Sequence, residues 1–159
     1  MIDALDADLV ELLAAEPRVG VLEASRRLGV ARGTVQARLE RLQRTGVITG
    51  FGPDLDPAAL GFPVTAFCSL EIRQGRGHDV VAAHLAAVPE VLEAHTITGS
   101  GDLLIRVVAR SNADLQRVID VVVDGENVVR TSTVMVLKTQ FGTRTLPLVR
   151  AAVRAHGAG

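Results

Sequence analysis

The chain has 159 residues, a net charge of −1 and 48% hydrophobic residues, which is enough apolar content for one domain or two small ones. A net charge so close to zero argues against a protein that coats nucleic acid along its whole surface, and favours one localised basic face for any such partner. The single cysteine, Cys68, excludes an intrachain disulfide framework. It lies in an alternating apolar run, so we expect a small buried side chain and not a nucleophile.

The N-terminal residues lack the basic and apolar regions of a signal peptide, and no apolar run is long enough to span a bilayer. We therefore expect a cytoplasmic protein with no membrane partner. The four histidines show no metal-ligand spacing, and no nucleophile is arranged with a base. These observations predict no metal, no cofactor and no enzymatic activity.

The first predicted helix is marked by leucines at helical spacing, Leu5, Leu9, Leu12 and Leu13. Asp6 is its predicted N-cap and Pro17 marks its end. The helix and its flanks are acidic, with Asp3, Asp6, Asp8, Glu11 and Glu16. Because these carboxylates would repel phosphates, we expect the helix to face away from DNA.

Two more helices follow at once. Val21–Leu28 predicts a short helix closed by Gly29, at a position suited to left-handed backbone. Residues 31–44 predict a second helix, in which Val35, Leu39 and Leu42 share one buried face. A short helix, a glycine turn and a second helix describe a helix-turn-helix, whose second helix enters the major groove of DNA.

The second helix of this motif is cationic. The segment from Arg26 to Arg44 contains six arginines and one acid, which gives a local charge of +5. Many cationic helix faces are merely solvated, but a local concentration of this size favours phosphate binding through counterion release. We expect Arg32, Thr34 and Gln36, near the start of the helix, to lie closest to the bases. The residues expected to hold phosphates are Arg38, Arg41 and Arg44.

After a segment rich in proline and glycine, the periodicity changes. Strands are predicted at residues 64–72, 91–98, 103–109 and 128–139, with helices before the second and the fourth. The order βαββαβ is that of a ferredoxin-like domain, with both helices on one face of an antiparallel sheet. The other face would expose Phe67 and Leu104 in a monomer, which favours a sheet-to-sheet homodimer. Residues 146–155, with Pro147 at the first turn, predict a terminal helix.

The run from Arg18 to Phe51 resembles the DNA-binding half of the leucine-responsive and asparagine-responsive (Lrp/AsnC, feast/famine) bacterial transcriptional regulators. The matching residues are Arg18, Glu23, Leu28, Gly29, Val30, Thr34, Val35, Arg38, Arg41, Leu42, Gly46, Val47, Ile48, Gly50 and Phe51. Ala31 stands where the family usually has a capping serine, Ser25 replaces a small apolar alanine, and Phe51 replaces a tyrosine. Loss of the capping serine removes a possible phosphate contact and about 1 kcal/mol of capping.

The resemblance implies an α+β protein with a DNA-binding head and a sensor. The predicted boundaries are a three-helix helix-turn-helix domain at 1–50, a linker at 51–62, a ferredoxin-like βαββαβ domain at 63–141 for effector sensing and oligomerisation, and a tail at 142–159. Double-stranded DNA, an amino acid or related small metabolite, and further copies of the chain are the implied partners. We expect a homodimer or a higher oligomer such as an octamer.

The resemblance also places the effector at the loop between the second and third strands. Its residues are Gly99, Ser100, Gly101 and Asp102, with Ser100 and Gly101 replacing an acidic-aromatic pair common in the family. Backbone N–H groups can bind a carboxylate and Asp102 an ammonium, the two charged ends of an amino acid. Thr131 and Thr133 on the last strand match hydroxyls that the family places near the effector.

The same residues also fit simpler roles, which stay open. The loop glycines could provide positive φ in a hairpin that Asp102 caps, and strand propensity accounts for the two threonines equally well. The altered loop would also suit an architectural DNA-binding protein that needs no effector. An enzyme with a ferredoxin-like fold is the third possibility.

Overall fold

The computed structural model describes residues 2–73, 77–124 and 127–156. Over these ranges the elements are α1 (Ala4–Ala15), α2 (Val21–Leu28), α3 (Arg32–Arg44), β1 (Val64–Ile72), α4 (Gly77–Ala86), β2 (Val91–Thr96), β3 (Leu103–Ala109), α5 (Asn112–Val123), β4 (Val128–Met135) and α6 (Leu146–His156). The chain divides into two compact units. One contains the residues up to Pro53 together with those from Phe141 onward, and the other is Asp54–Gln140. The chain therefore leaves the first unit and later returns to it.

The first unit contains the predicted helix-turn-helix. Its core is formed by Leu9 of α1, Ala24 of α2, and Val35 and Leu42 of α3, all almost fully buried. The seven-residue spacing of the two α3 residues places them on one face, as the sequence predicted. Leu39, predicted to lie buried on the same face, is only half-buried. Gly29 ends α2 with φ +66°, which confirms the predicted left-handed position.

The start of α1 differs from the prediction. Asp3, and not Asp6, is the N-cap: its Oδ1 accepts a hydrogen bond from the Asp6 N–H at 2.9 Å. The Asp6 carboxylate in turn accepts from the Asp3 N–H at 2.9 Å, which completes a capping box. The prediction of Asp6 was wrong because either aspartate has the right chemistry, and the helix begins at Ala4 instead of one turn later.

The second unit is a four-stranded antiparallel sheet with strand order β2-β3-β1-β4 and two helices. Alternate residues of β1, from Ala66 to Ile72, are buried against both helices. Val81 and Leu85 of α4 contribute to this core. The residues from α5 are Leu115, Val118 and Val122. Cys68 is buried in the same core, as predicted, and burial raises the pKa of its thiol. The predicted ferredoxin-like βαββαβ fold is confirmed.

The remaining face of the sheet is partly apolar. Phe67 of β1 is paired with Val134 of β4, and their side chains are 37% and 66% exposed. Leu104 is half-buried. In the chain taken alone, this face therefore presents apolar side chains to solvent, as the sequence predicted for Phe67.

Two strands are shorter than predicted. β2 ends at Thr96 instead of residue 98, and β4 ends at Met135 instead of residue 139. The last paired residue of β4, Met135, lies opposite Ala66, near the start of β1. The Val136 N–H still donates to the Thr65 carbonyl. β1 begins at Val64, so β4 reaches the end of its partner strand here. Among the described residues no helix has the length and apolar character needed to cross a bilayer.

Candidate DNA-binding surface and effector loop

The N-terminal half of α3 presents polar side chains to solvent. Arg32, Thr34 and Gln36 are all exposed, and the amide of Gln36 donates to Glu40 at 2.7 Å. Their exposure agrees with the expected positions near the bases, because these residues occupy the first turns of the helix. Arg32 and Gln36 lie one turn apart on one side of α3, whereas Thr34 lies on the side that carries Arg38 and Arg41.

The N-termini of α2 and α3 lack side-chain caps, in contrast to the capped start of α1. Ala31 precedes α3 and Gly20 precedes α2, and neither makes a side-chain hydrogen bond to the first turn. The first N–H groups of a helix carry a partial positive charge and bind anions readily. The N–H groups at both ends can therefore donate to phosphate oxygens without displacing a capping side chain.

Two of the predicted phosphate-binding arginines are held by α1. Arg38 Nη1 lies 2.7 Å from Asp3 Oδ2 and 2.8 Å from Asp6 Oδ1. Arg41 Nη2 contacts both carboxylate oxygens of Asp6, whose side chain is fully buried. Asp3 and Asp6 therefore face α3 and pair with its arginines.

The cluster lowers the pKa of both carboxyl groups. For Asp6, burial raises the pKa, but hydrogen bonds from Arg41, the Asp3 N–H and Arg38 together outweigh burial and bring it below the ordinary value. The Arg38 hydrogen bond and the Asp6 N–H lower the pKa of Asp3. Both groups are thus carboxylates at neutral pH, and they fix the two arginines electrostatically.

Several other arginines of the basic segment are also paired. Arg27 contacts Glu16 and Glu23, and Arg26 lies 3.8 Å from Glu23. Over the described parts of the chain, Arg32 and Arg44 are the arginines of this segment that form no ion pair. The local charge of +5 is therefore largely compensated by acids from α1, α2 and the loop between them, and the uncompensated charge lies at the two ends of α3.

Sequence reasoning missed the role of Asp3 and Asp6 in this cluster. A signal was present: the two acids are three residues apart, as are Arg38 and Arg41, so each pair lies on one face of its helix. The pairing itself spans 35 residues between Asp6 and Arg41 and depends on how α1 crosses α3.

In the second unit, the four loop residues have different environments. Gly99 has φ +123° and is exposed, as is Ser100. Gly101 is buried, and a Cβ atom at this position would lie 2.2 Å from Ser69 Oγ and 3.2 Å from the Leu70 carbonyl oxygen. Glycine is thus required at 99 by the backbone conformation and at 101 by the close approach of β1.

Asp102 extends the pairing between β3 and β1. Its N–H donates to the Leu70 carbonyl at 2.8 Å, and its Oδ2 accepts the Ile72 N–H at 2.8 Å. The carboxylate therefore satisfies a backbone donor at the end of a core strand. The alternative left open by the sequence was a cap of the β2–β3 hairpin, whereas the carboxylate is bonded to the neighbouring strand β1.

Thr131 and Thr133 lie on the other side of β1. They are opposite Leu70 and Cys68, and the Thr133 hydroxyl lies 3.4 Å from Cys68 Sγ. The Thr131 hydroxyl is buried and has no hydrogen-bond partner among the described residues. Because β1 separates β4 from β3, Thr131 and Asp102 are two strand spacings apart, about 10 Å. A single chain does not bring the threonines and Asp102 together.

Comparison with known proteins agrees with both halves of this arrangement. Residues 2–49 match the winged helix-turn-helix DNA-binding family, and residues 65–146 match the Lrp/AsnC ligand binding domain. The chain is 31% identical to the HTH-type transcriptional regulator FL11 of Pyrococcus furiosus, over 93% of this chain and 97% of that protein. It is 33% identical to the regulatory protein AsnC of Escherichia coli K12, over 75% of this chain and 78% of that protein.

Solved structures extend the similarity to the fold. E. coli AsnC superimposes with a TM-score of 0.84 at 30% identity, covering 92% of this chain and 99% of that one. A feast or famine regulatory protein from M. tuberculosis, complexed with L-methionine, gives a TM-score of 0.80 at 28% identity, covering 91% and 98%. With an exposed recognition helix in one unit and a ligand-domain sheet in the other, the chain belongs to the Lrp/AsnC family of helix-turn-helix transcriptional regulators.

Proposed function

We propose that this regulator reads DNA with Arg32, Thr34 and Gln36 and holds phosphates with Arg44 and the uncapped ends of α2 and α3. Arg38 and Arg41 complete the phosphate contacts from positions fixed by Asp3 and Asp6. A guanidinium has five N–H donors, so an arginine that is bound to a carboxylate on one edge can still donate to a phosphate on another. The observation that carries the proposal is the exposed, uncapped N-terminal half of α3. We infer a cytoplasmic location because DNA is the target.

Two substitutions in α3 separate phosphate contact from base reading. Arg44→Ala should weaken binding to specific and random DNA alike and reduce the slope of log K against log salt by about one unit, because one phosphate contact is lost. Gln36→Ala should change the preference among sequences and leave that slope unchanged. Fluorescence anisotropy with labelled duplexes at several salt concentrations measures both quantities.

Arg154→Ala, which removes an exposed arginine of α6, controls for the change in net charge. If Gln36→Ala and Arg44→Ala lower the affinity for specific and random duplexes by the same factor, the assignment of roles within α3 is contradicted.

We further infer that an amino acid or related small metabolite is the effector and that it binds at residues 99–102. The exposed Gly99 and Ser100 offer backbone N–H groups for a carboxylate, and Asp102 offers an anion for an ammonium. The L-methionine complex of the M. tuberculosis relative supports this class of ligand. The separation of about 10 Å between Asp102 and Thr131 is too long for the charged ends of one amino acid. We therefore place the complete site, with Thr131 and Thr133, at a contact between dimers.

The exposed face of the sheet supports an assembly of this kind. The family is oligomeric, and burial of Phe67 and Val134 against a second copy would remove their apolar surface from water. We propose a homodimer formed by this face and a higher oligomer, such as an octamer, built from such dimers.

The substitution Asp102→Asn tests the effector site without removing the hydrogen bond that the fold needs. An asparagine keeps an oxygen that accepts from the Ile72 N–H but loses the negative charge that would bind an ammonium. We expect the thermal stability of the variant to stay close to wild type, while the shift of melting temperature with the effective amino acid disappears. Thermal-shift screening of both proteins against the twenty amino acids measures this.

Wild-type protein that shows no shift with any amino acid, and a DNA footprint that no amino acid alters, would favour the architectural function instead. A shift of equal size in wild type and Asp102→Asn would show that an effector binds elsewhere.

A further inference from the structure

The last helix, α6, belongs to the DNA-binding unit by its contacts. It lies in the same compact unit as α1 to α3, although 87 residues of the other unit precede its segment. Val149 and Ala152 of α6 line an apolar groove together with Val10 and Ala14 of α1. The two family matches end at residues 49 and 146, so most of α6 lies outside both of them.

One arginine of α6 binds two acids of α1. Arg150 Nε lies 2.6 Å from Glu11 Oε1, and Arg150 Nη2 lies 2.6 Å from both Glu11 Oε2 and Asp8 Oδ1. This is a two-edged guanidinium–carboxylate contact with an added hydrogen bond, which fixes orientation more strictly than a single ion pair. The Arg150 hydrogen bond lowers the pKa of Glu11, so this carboxylate is charged at neutral pH.

Helix α1 therefore carries two acidic pairs with different partners. Asp3 and Asp6 hold Arg38 and Arg41 of α3, and Asp8 and Glu11 hold Arg150 of α6. A helix is a stiff element over this length, so a displacement at its second and third turns is transmitted to its first turn. The position of Arg38 and Arg41 then depends on the α6 contact.

We propose that α6 is a positioning element for DNA binding: through Arg150 it fixes α1, and α1 fixes the Arg38 and Arg41 side chains that contact phosphates. The proposal rests on the phosphate contacts assigned above to those two arginines. According to this proposal, Arg150 influences the affinity for DNA without contacting DNA, although it lies more than one hundred positions after Arg38 and Arg41 in the sequence.

The test compares two charge reversals on the same helix in the full-length chain. Arg150→Glu breaks the contact with α1 and repels Glu11, whereas Arg154→Glu changes the net charge equally at an exposed residue that forms no ion pair within the described chain. We expect Arg150→Glu to weaken binding to specific and random duplexes about fivefold and to flatten the salt dependence, with a change below about twofold for Arg154→Glu. Equal effects of the two reversals would overturn the proposal.

A charge exchange between α1 and α6 completes the comparison. Glu11→Arg combined with Arg150→Glu restores an ion pair of opposite direction, and a third change, Asp8→Asn, removes the carboxylate that would otherwise repel the new acid at position 150. This charge-exchanged protein should recover most of the lost affinity. If Arg150→Glu alone unfolds the unit, as circular dichroism would show, a charge-exchanged protein that folds but still binds weakly overturns the proposal.

The route through α1 has its own readout. In a background with both Arg38→Ala and Arg41→Ala, the Arg150→Glu effect on affinity should disappear, because the positioned side chains are absent. A full Arg150→Glu effect in that background overturns the route. If the Arg38→Ala, Arg41→Ala background itself binds DNA like wild type, the assignment of phosphate contacts fails, which is a separate result.

Discussion

Replacing Asp6 with alanine should destabilise the DNA-binding unit by about 3 kcal/mol, because a buried carboxylate that holds two arginines is removed and its partners are left unpaired. The side chain is fully buried, and it also forms half of the capping box of α1. Since the same residue fixes Arg38 and Arg41, affinity for specific and random DNA should fall together. The chain has no tryptophan or tyrosine, so unfolding is best followed in urea by far-ultraviolet circular dichroism.

Asp3→Ser is the matched control for this substitution. It keeps an N-cap oxygen for the Asp6 N–H and removes a half-exposed charge, so its cost should stay below about 1 kcal/mol. A loss of stability as small for Asp6→Ala as for Asp3→Ser would contradict the central role of the buried carboxylate.

The same cluster predicts a dependence on pH. Both carboxyl groups have a folded-state pKa below the ordinary value of 3.8, so the stability that they contribute is fully present above that value. It is lost as the pH falls from about 4 through the lower folded-state pKa values. In Asp6→Asn, the unfolding free energy should fall less steeply over the same pH range, because residue 6 no longer titrates. An unfolding free energy of the wild type that does not fall between about pH 4 and lower pH would contradict the lowered pKa values.

The parts of the fold that the sequence predicted are those that local periodicity determines. The three N-terminal helices follow from leucine and valine spacing, and the βαββαβ order follows from alternation and from turn residues. The left-handed conformation of Gly29 could be predicted because a glycine directly after a helix commonly ends it with positive φ.

The parts that were missed depend on contacts between distant segments. Nothing local tells whether Asp3 or Asp6 caps α1, since the answer depends on where the helix starts and on the arginines of α3. The end of β4 is set by the start of its neighbour β1, and strand propensity alone continues past Met135. The terminal helix was predicted, but its packing on α1 through Arg150 was not, because the partners are 139 residues apart.

For the candidate effector loop, the sequence identified the two glycines but not the different reason that each position requires glycine. In the hairpin alternative both glycines would provide positive φ, and only Gly99 does so, with φ +123°. Gly101 is glycine because the loop lies against Ser69 and Leu70. Gly101 is one of the two residues that replace an acidic-aromatic pair common in the family. The contact with β1 that requires glycine there is not visible in the local sequence.

Replacing Gly101 with valine should destabilise the second unit by about 3 kcal/mol, because the added atoms overlap with β1. Even a single Cβ would lie 2.2 Å from Ser69 Oγ and 3.2 Å from the Leu70 carbonyl oxygen. The Leu70 carbonyl is a backbone group bonded to the Asp102 N–H, so it cannot move without breaking that pairing. Thermal and urea unfolding by circular dichroism measure the loss, and Ser100→Val, at the exposed neighbouring position, is the matched control.

The cause of the loss can be separated from a general effect on the loop. Gly101→Ala should cost less than Gly101→Val, since the Ser69 hydroxyl can rotate away from one methyl group but not from three carbons. Combining Gly101→Ala with Ser69→Gly removes the nearest atoms on β1 and should recover most of the stability, leaving only the contact with the Leu70 oxygen. If the double variant is no more stable than Gly101→Ala, or if Ser100→Val is as destabilising as Gly101→Val, the close approach to Ser69 is not the reason for glycine at this position.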